Sequence, residues 1–186
     1  MLQKLAPIVL FLMLSAPAAA YNLRIQGQVD QRSTTQPMHK VLVRVYKNGV
    51  KQHVLETSAT GRFSVVLDNG ADYVVRCSAP GFVTKCFGVD THGLVWEGED
   101  KRKDLSVTVE MIENDPGMDL GFFDMPLGML RFQPATGLVT WDKAYQAWIE
   151  PRTEAIMAEY DRRRAALAQR EPVDVLPLRR TGMRLP

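Results

Sequence analysis

Val41-Leu42-Val43-Arg44-Val45-Tyr46-Lys47-Asn48-Gly49-Val50-Lys51-Gln52-His53-Val54-Leu55 decides the fold of this chain. Val41, Val43 and Val45 fall on every second position, the period that puts one side of an extended strand against a core. Asn48-Gly49 then supplies two residues that tolerate positive φ, as a type I′ hairpin requires, and the chain returns antiparallel over about Val50 to Thr57. The same grammar extends in both directions. Leu23, Ile25, Gly27 and Val29 alternate with Arg24, Gln26, Gln28 and Asp30. Thr60-Gly61 leads into Phe63, Val65 and Leu67; Asn69-Gly70 leads into Tyr73, Val75 and Cys77; Pro80-Gly81 leads into a strand from Phe82 to Val89. After a longer loop, Leu105, Val107, Val109 and Met111 close the set. Seven short strands separated by glycine turns predict an all-β, two-sheet sandwich.

Residues 1–20 read as a leader and not as part of the fold. Lys4 is a positive start, Ile8 to Leu14 is apolar but too short to span a bilayer, and Ala18-Ala19-Ala20 is the small-residue pattern that signal peptidases cut after. The expected product starts at Tyr21 and is periplasmic or secreted, with no integral membrane segment once the signal is removed; the competing expectation is a retained N-terminal anchor. A hydrophobic content of 46% is enough for one core, and the net charge of +2 gives no argument for nucleic acid. The positive excess gathers near the C-terminus, at Arg162, Arg163, Arg164, Arg170, Arg179, Arg180 and Arg184, and reads as solvated surface.

Beyond the sandwich the pattern changes. Residues 114–140 form an apolar connector with Phe122, Phe123, Met125, Leu127, Met129, Leu130 and Phe132, expected as a short strand or hairpin laid over the sandwich. Asp142 is placed to cap a helix within 141–170, with Tyr145, Trp148, Ile149, Ile156, Tyr160 and Leu167 on one stripe docked on the sandwich. Pro151 is expected to kink or divide it. Residues 171–186, with Pro172, Pro177 and Pro186 among arginines, read as a disordered basic tail.

Reactive residues are sparse. His39, His53 and His92 lie in separate segments without metal-ligand spacing, so neither a metal nor a cofactor is expected. His92 shares a loop with Asp90, Glu97, Glu99 and Asp100, which reads as a solvated acidic turn rather than a calcium loop. No serine sits in a nucleophile elbow. Cys77 and Cys86 flank the Pro80-Gly81 turn, and register decides between a disulfide and two buried thiols: a four-residue loop brings them opposite, a tighter turn does not. Trp141, Tyr145 and Trp148 read as packing residues at the helix start, whereas Trp96, in the long loop, is with His92 the candidate ligand or partner contact.

Ile25-Gln26-Gly27-Gln28-Val29, Val41-x-Val43-x-Val45, Thr60-Gly61-Arg62-Phe63, Asp72-Tyr73-x-Val75 and Ser78-Ala79-Pro80-Gly81-Phe82 together resemble the carboxypeptidase regulatory-like domain over residues 21–113. The whole arrangement, with Phe132-Gln133-Pro134 and Trp141-Asp142-x-x-Tyr145, is similar to small secreted Bacteroidetes-type proteins. The resemblance implies a seven-stranded transthyretin-like/Ig-like β-sandwich, here with a C-terminal α-helical extension. In metallocarboxypeptidases such a domain is an accessory to a separate zinc-bearing catalytic domain. The implied function is therefore non-enzymatic: an exported module that binds or scaffolds a partner, protein or glycan, in the bacterial envelope. Two other readings stand beside it, a carbohydrate-binding module using loop aromatics and a hydrolase on a transthyretin-like scaffold. Hydroxyisourate hydrolases of that fold end in a Tyr-Arg-Gly-Ser type motif, whereas this chain ends in Met183-Arg184-Leu185-Pro186.

Overall fold

A computed structural model describes residues 22–93, 102–133 and 135–170. The expected leader over 1–20, the loop segment carrying Trp96, Glu97, Glu99 and Asp100, and the basic tail over 171–186 lie outside the described residues.

Among the described residues the chain forms nine strands and one long helix: β1 Asn22–Gln31, β2 Leu42–Lys47, β3 Val50–Glu56, β4 Arg62–Asp68, β5 Asp72–Ser78, β6 Lys85–Asp90, β7 Arg102–Met111, β8 Pro126–Gln133, β9 Leu138–Trp141 and α1 Lys143–Arg170. A short 3-10 helix, Gly121–Asp124, precedes β8. The strands make two sheets, ordered β4-β1-β7 and β3-β2-β5-β6-β8-β9. The hairpin signal is realised as read, with Asn48 at φ 49° and Gly49 at φ 79°. Alternation does the rest. Leu23, Ile25, Phe63, Val65, Leu67, Val107 and Val109 of the small sheet meet Val43, Val45, Tyr73, Val75, Phe87 and Val89 of the large one in a single buried core.

Two strands beyond the expected seven come from the apolar connector. Instead of lying over the sandwich, it extends the large sheet: β8 runs parallel to β6, with Gly88 opposite Met129 and Val89 opposite Leu130, and β9 returns antiparallel. The Met129 thioether lies over Gly88, in the space a Cβ there would take. Leu130 and Val139 thereby join the sandwich core.

Asp142 caps α1 as read, its Oδ1 accepting from the backbone N–H groups of Ala144 at 2.9 Å and Tyr145 at 3.1 Å. Pro151 does not divide the helix, which continues to Arg170. Ile156, Met157 and Tyr160 pack with Val83, Ile112, Leu120 and Phe123 in a second buried cluster. Trp148 and Leu167, expected on the docked stripe, are 63% and 51% exposed. Trp148 lies about 100° around the helix from the buried Ile149, enough to turn it to solvent. Three helix side chains carry ion pairs to the sandwich side: Arg163 to Asp115 at 2.9 Å, Arg164 to Glu113, and Asp161 to Arg32 at 3.3 Å. Arg163 and Arg164 are thus more than the solvated surface expected of them.

Candidate functional site

A groove opens where β7 forms the edge of the small sheet. Its opposite walls are Lys85, Cys86 and Phe87 of β6, Leu127 and Gly128 of β8, Trp141 at the end of β9 and Gln146 of α1, and it encloses about 330 Å³. The apolar lining is ordered by contacts behind it. Trp141 meets Phe87 edge-on with ring centroids 6.3 Å apart. Gly128 permits this placement, since a Cβ would stand 2.7 Å from the indole ring. Tyr145 donates its hydroxyl proton to the Pro126 carbonyl at 2.6 Å and so joins the helix start to β8.

Among the described residues the β7 wall carries backbone groups, at Thr108 and Glu110, without a hydrogen-bond partner on the groove side. β7 pairs only with β1 among the described residues. The Met111 carbonyl accepts from Arg32 on the β1 side, while the Ile112 carbonyl accepts from Val83 on the other side. Backbone polar groups of successive strand residues point to alternate sides, so Thr108 and Glu110, in phase with Ile112, turn their N–H and C=O groups away from β1. Val107, Thr108, Val109 and Glu110 all line the groove.

Lys85 is the unusual side chain of this site. It faces inward from β6, opposite Cys77 in register, and is only 8% exposed. Its ammonium lies over the Phe123 ring, 5.1 Å from the centroid. Burial pulls its pKa from 10.5 down to about 8, with Arg32 adding to the drop and Glu110 opposing it. Glu110 is itself held by Arg32 at 3.4 Å, which leaves no carboxylate within ion-pair distance of Lys85 among the described residues. The sequence carried one signal for this residue: Lys85 is the only charge between Phe82 and Val89. Which face it takes depends on the β5–β6 register, which composition does not determine.

That register also settles the cysteines. Cys77 lies opposite Lys85, and Cys86 lies opposite Arg76, so successive side chains point the two thiols to opposite faces of the sheet. Of the two outcomes the sequence leaves open, a Cys77–Cys86 disulfide or two buried thiols, this register gives two free, buried cysteines. Burial, reinforced by Cys86, pushes the Cys77 thiol up to about 12. Burial also raises Cys86, partly offset by Arg76, and its Sγ donates to the Asp124 carbonyl at 3.4 Å. Neither is a ready thiolate at neutral pH.

His92, the described member of the expected contact pair, stands at the far end of β6 from Lys85. Its Nδ1 lies 2.8 Å from Asp90 Oδ1 and 3.8 Å from Asp72 Oδ1. Asp72 was missed by linear spacing because it reaches the pair across strands, opposite Asp90 in the β5–β6 ladder. The three present ligand atoms within 4.8 Å of one another, close enough to share a cation. The cluster is satisfied internally, since Asp90 Oδ1 also accepts from the His92 backbone N–H at 2.9 Å. Burial alone would raise Asp90, but these His92 contacts, aided by Arg131, bring its pKa below the ordinary carboxylate value. Of the aromatic trio, Trp141 packs on the core and Tyr145 is half-buried, while the Trp148 ring leans on Tyr145 from solvent, centroids 5.6 Å apart.

No protein-family model matches the chain, and no curated protein matches it. Solved structures similar to part of it include the Bacillus anthracis TIE protein, at 11% identity over 50% of this chain and 18% of that one, with a TM-score of 0.41. Others are 3-chlorocatechol 1,2-dioxygenase from Rhodococcus opacus, at 9% identity over 50% of this chain and 61% of that one with a TM-score of 0.39, and wild-type catechol 1,2-dioxygenase from Acinetobacter radioresistens, at 11% identity over 54% of each chain with a TM-score of 0.40. This chain spans less than two thirds of each. Likeness of this size says nothing of activity.

Proposed function

We propose that this chain is an exported, non-enzymatic module of the bacterial envelope that binds a protein partner by adding an extended segment of it to the open edge of β7. The observation carrying this reading is the backbone of Thr108 and Glu110, unpaired among the described residues, along a groove with an apolar far wall. A strand edge offers main-chain hydrogen bonds to any extended chain, and the Phe87, Leu127 and Trp141 surfaces beside it offer purchase for alternate side chains. Export rests on Lys4, the apolar run and Ala18-Ala19-Ala20.

Thr108→Pro is the decisive variant. Proline removes the N–H of Thr108, which points to the open edge, and leaves the β1–β7 ladder its donors. Peptides selected from a displayed random library should bind the native chain, slow amide exchange at Thr108 and Glu110, and lose at least about tenfold in affinity to the variant. Tight binding that leaves both amides exchanging freely would refute strand addition.

A further inference from the structure

We infer that Lys85 anchors a carboxylate, and specifically that it receives the C-terminal carboxylate of an extended peptide lying in the β7 groove, an inference that rests on the strand-addition reading above. Among the described residues Lys85 has no carboxylate within ion-pair distance. A lysine more than nine-tenths buried normally has a carboxylate or several acceptors beside its ammonium, because the hydration it loses is otherwise uncompensated. Glu110, the acid that acts on Lys85, is engaged by Arg32. What remains for Lys85 is the face of Phe123 and the cavity it lines.

The cavity defines the ligand class. Lys85 is the single cation in its lining, and Glu110, the single acid there, is paired with Arg32, which leaves Lys85 to meet one negative charge; phosphoryl groups are typically met by several donors or an arginine fork. Phe87, Leu127 and Trp141 suit an apolar side chain next to that charge, and Gln146 contributes an amide from the helix. A free small acid has the same carboxylate but makes no use of the backbone edge. A peptide terminus uses both, entering along Thr108 and Glu110 and ending at Lys85.

The low pKa of Lys85 agrees with this geometry, since an arriving carboxylate supplies the counter-charge that restores the protonated form. Lys85→Met keeps the stem volume and removes the charge, so it is expected to fold.

The test uses a peptide from a library displayed with free C-termini, its C-terminally amidated twin, and hexanoate as a free acid, each titrated against the full chain, Lys85→Met and Thr108→Pro. The expected result is that amidation or Lys85→Met each weakens peptide binding on the order of 10- to 100-fold, the worth of a charge-assisted hydrogen bond. Lys85→Met should leave the amidated twin unchanged, and Thr108→Pro should weaken both peptides. Equal binding of acid and amide, still sensitive to Thr108→Pro, would overturn the anchor and leave strand addition standing. Acid-specific, Lys85-dependent binding of hexanoate and peptide alike, insensitive to Thr108→Pro, would overturn strand addition and the peptide assignment, leaving a small-acid site. Binding indifferent to both substitutions would overturn both. Should the library return no peptide, strand addition and the peptide terminus fall together, and hexanoate shifting the Lys85 Nζ resonance would decide the anchor alone.

Discussion

The two buried clusters of this molecule are built by different rules. The sandwich core is periodic: Leu23, Ile25, Val43, Val45, Val65, Leu67, Tyr73 and Val75 enter it at every second residue of short strands joined by glycine turns. The cluster under the helix is assembled from pieces without a common period, Val83 from a loop, Ile112 just past β7, Leu120 and Phe123 around the 3-10 helix, and Ile156, Met157 and Tyr160 from α1. A sheet imposes its spacing on every residue that faces the core, whereas a helix docked on a strand end takes whatever apolar residues the connections bring beneath it. The groove and Lys85 lie between the two, where a strand of the first core carries a side chain into the second.

If the clusters form one cooperative unit, damage to the irregular one should unfold the regular one. Phe123 is fully buried at the centre of the second cluster. Phe123→Ala should cost about 3–5 kcal/mol, and chemical denaturation followed by tryptophan fluorescence and by helical circular dichroism should give coincident transitions. Cooperativity is expected because β8, which carries Leu130 into the sandwich core, also bears Leu127, packed on the helix cluster. Loss of the helical signal ahead of an unchanged sandwich transition would split the molecule into two units.

Lys85, at the boundary between the two clusters, acts with the opposite sign. A drop from 10.5 to about 8 corresponds to about 3 kcal/mol of cost in holding the ammonium in the fold. Below about pH 8 the lysine is charged in folded and unfolded chains alike and the cost is fully present. Between there and its ordinary value the unfolded chain holds more protons than the folded one, so native stability rises with pH; above both values the cost is gone. Lys85→Met should therefore stabilise the chain by about 2–3 kcal/mol at neutral pH, a gain that shrinks as pH is raised toward 10.5. Urea unfolding of the two proteins across pH reads this directly; a destabilised variant would mean that Lys85 already has a partner within the fold.

The same contrast explains what was legible in the sequence. Asn48-Gly49, the alternation of β1, β2, β4, β5 and β7 and the Asp142 cap are local signals, and each is realised, whereas β3 is exposed and β6 buried along nearly their whole lengths. The sequence of β8 shows an irregular apolar run, enough to expect a short strand or hairpin but not its place in the sheet, because Leu130 enters the sandwich core while Leu127 packs on the helix cluster. A strand covered on both faces loses its alternation. The cysteine pairing, the face taken by Lys85 and the approach of Asp72 to His92 all depend on one quantity, the β5–β6 register, and a slip of one residue would reverse each of them. Of the candidate contacts, His92 emerged beside two carboxylates, but the groove itself was invisible, being made of an unpaired strand edge and side chains from four separate elements.

The smallest effect tests where the second cluster ends. Tyr145, Trp148 and Ile149 are close in sequence, and a stripe drawn from sequence takes all three into the docked face. In the structure Ile149 is buried, Tyr145 is anchored by its hydroxyl on Pro126, and Trp148 stands 63% exposed, touching the rest of the molecule through the Tyr145 ring. A large aromatic so exposed contributes little to a core, so Trp148→Ala should change stability by no more than about 0.5 kcal/mol. Ile149→Ala, one position further along the helix, should cost about 2–3 kcal/mol in the same urea titration. Equal losses would mean that the helix is rotated in solution and that its packed stripe passes through Trp148.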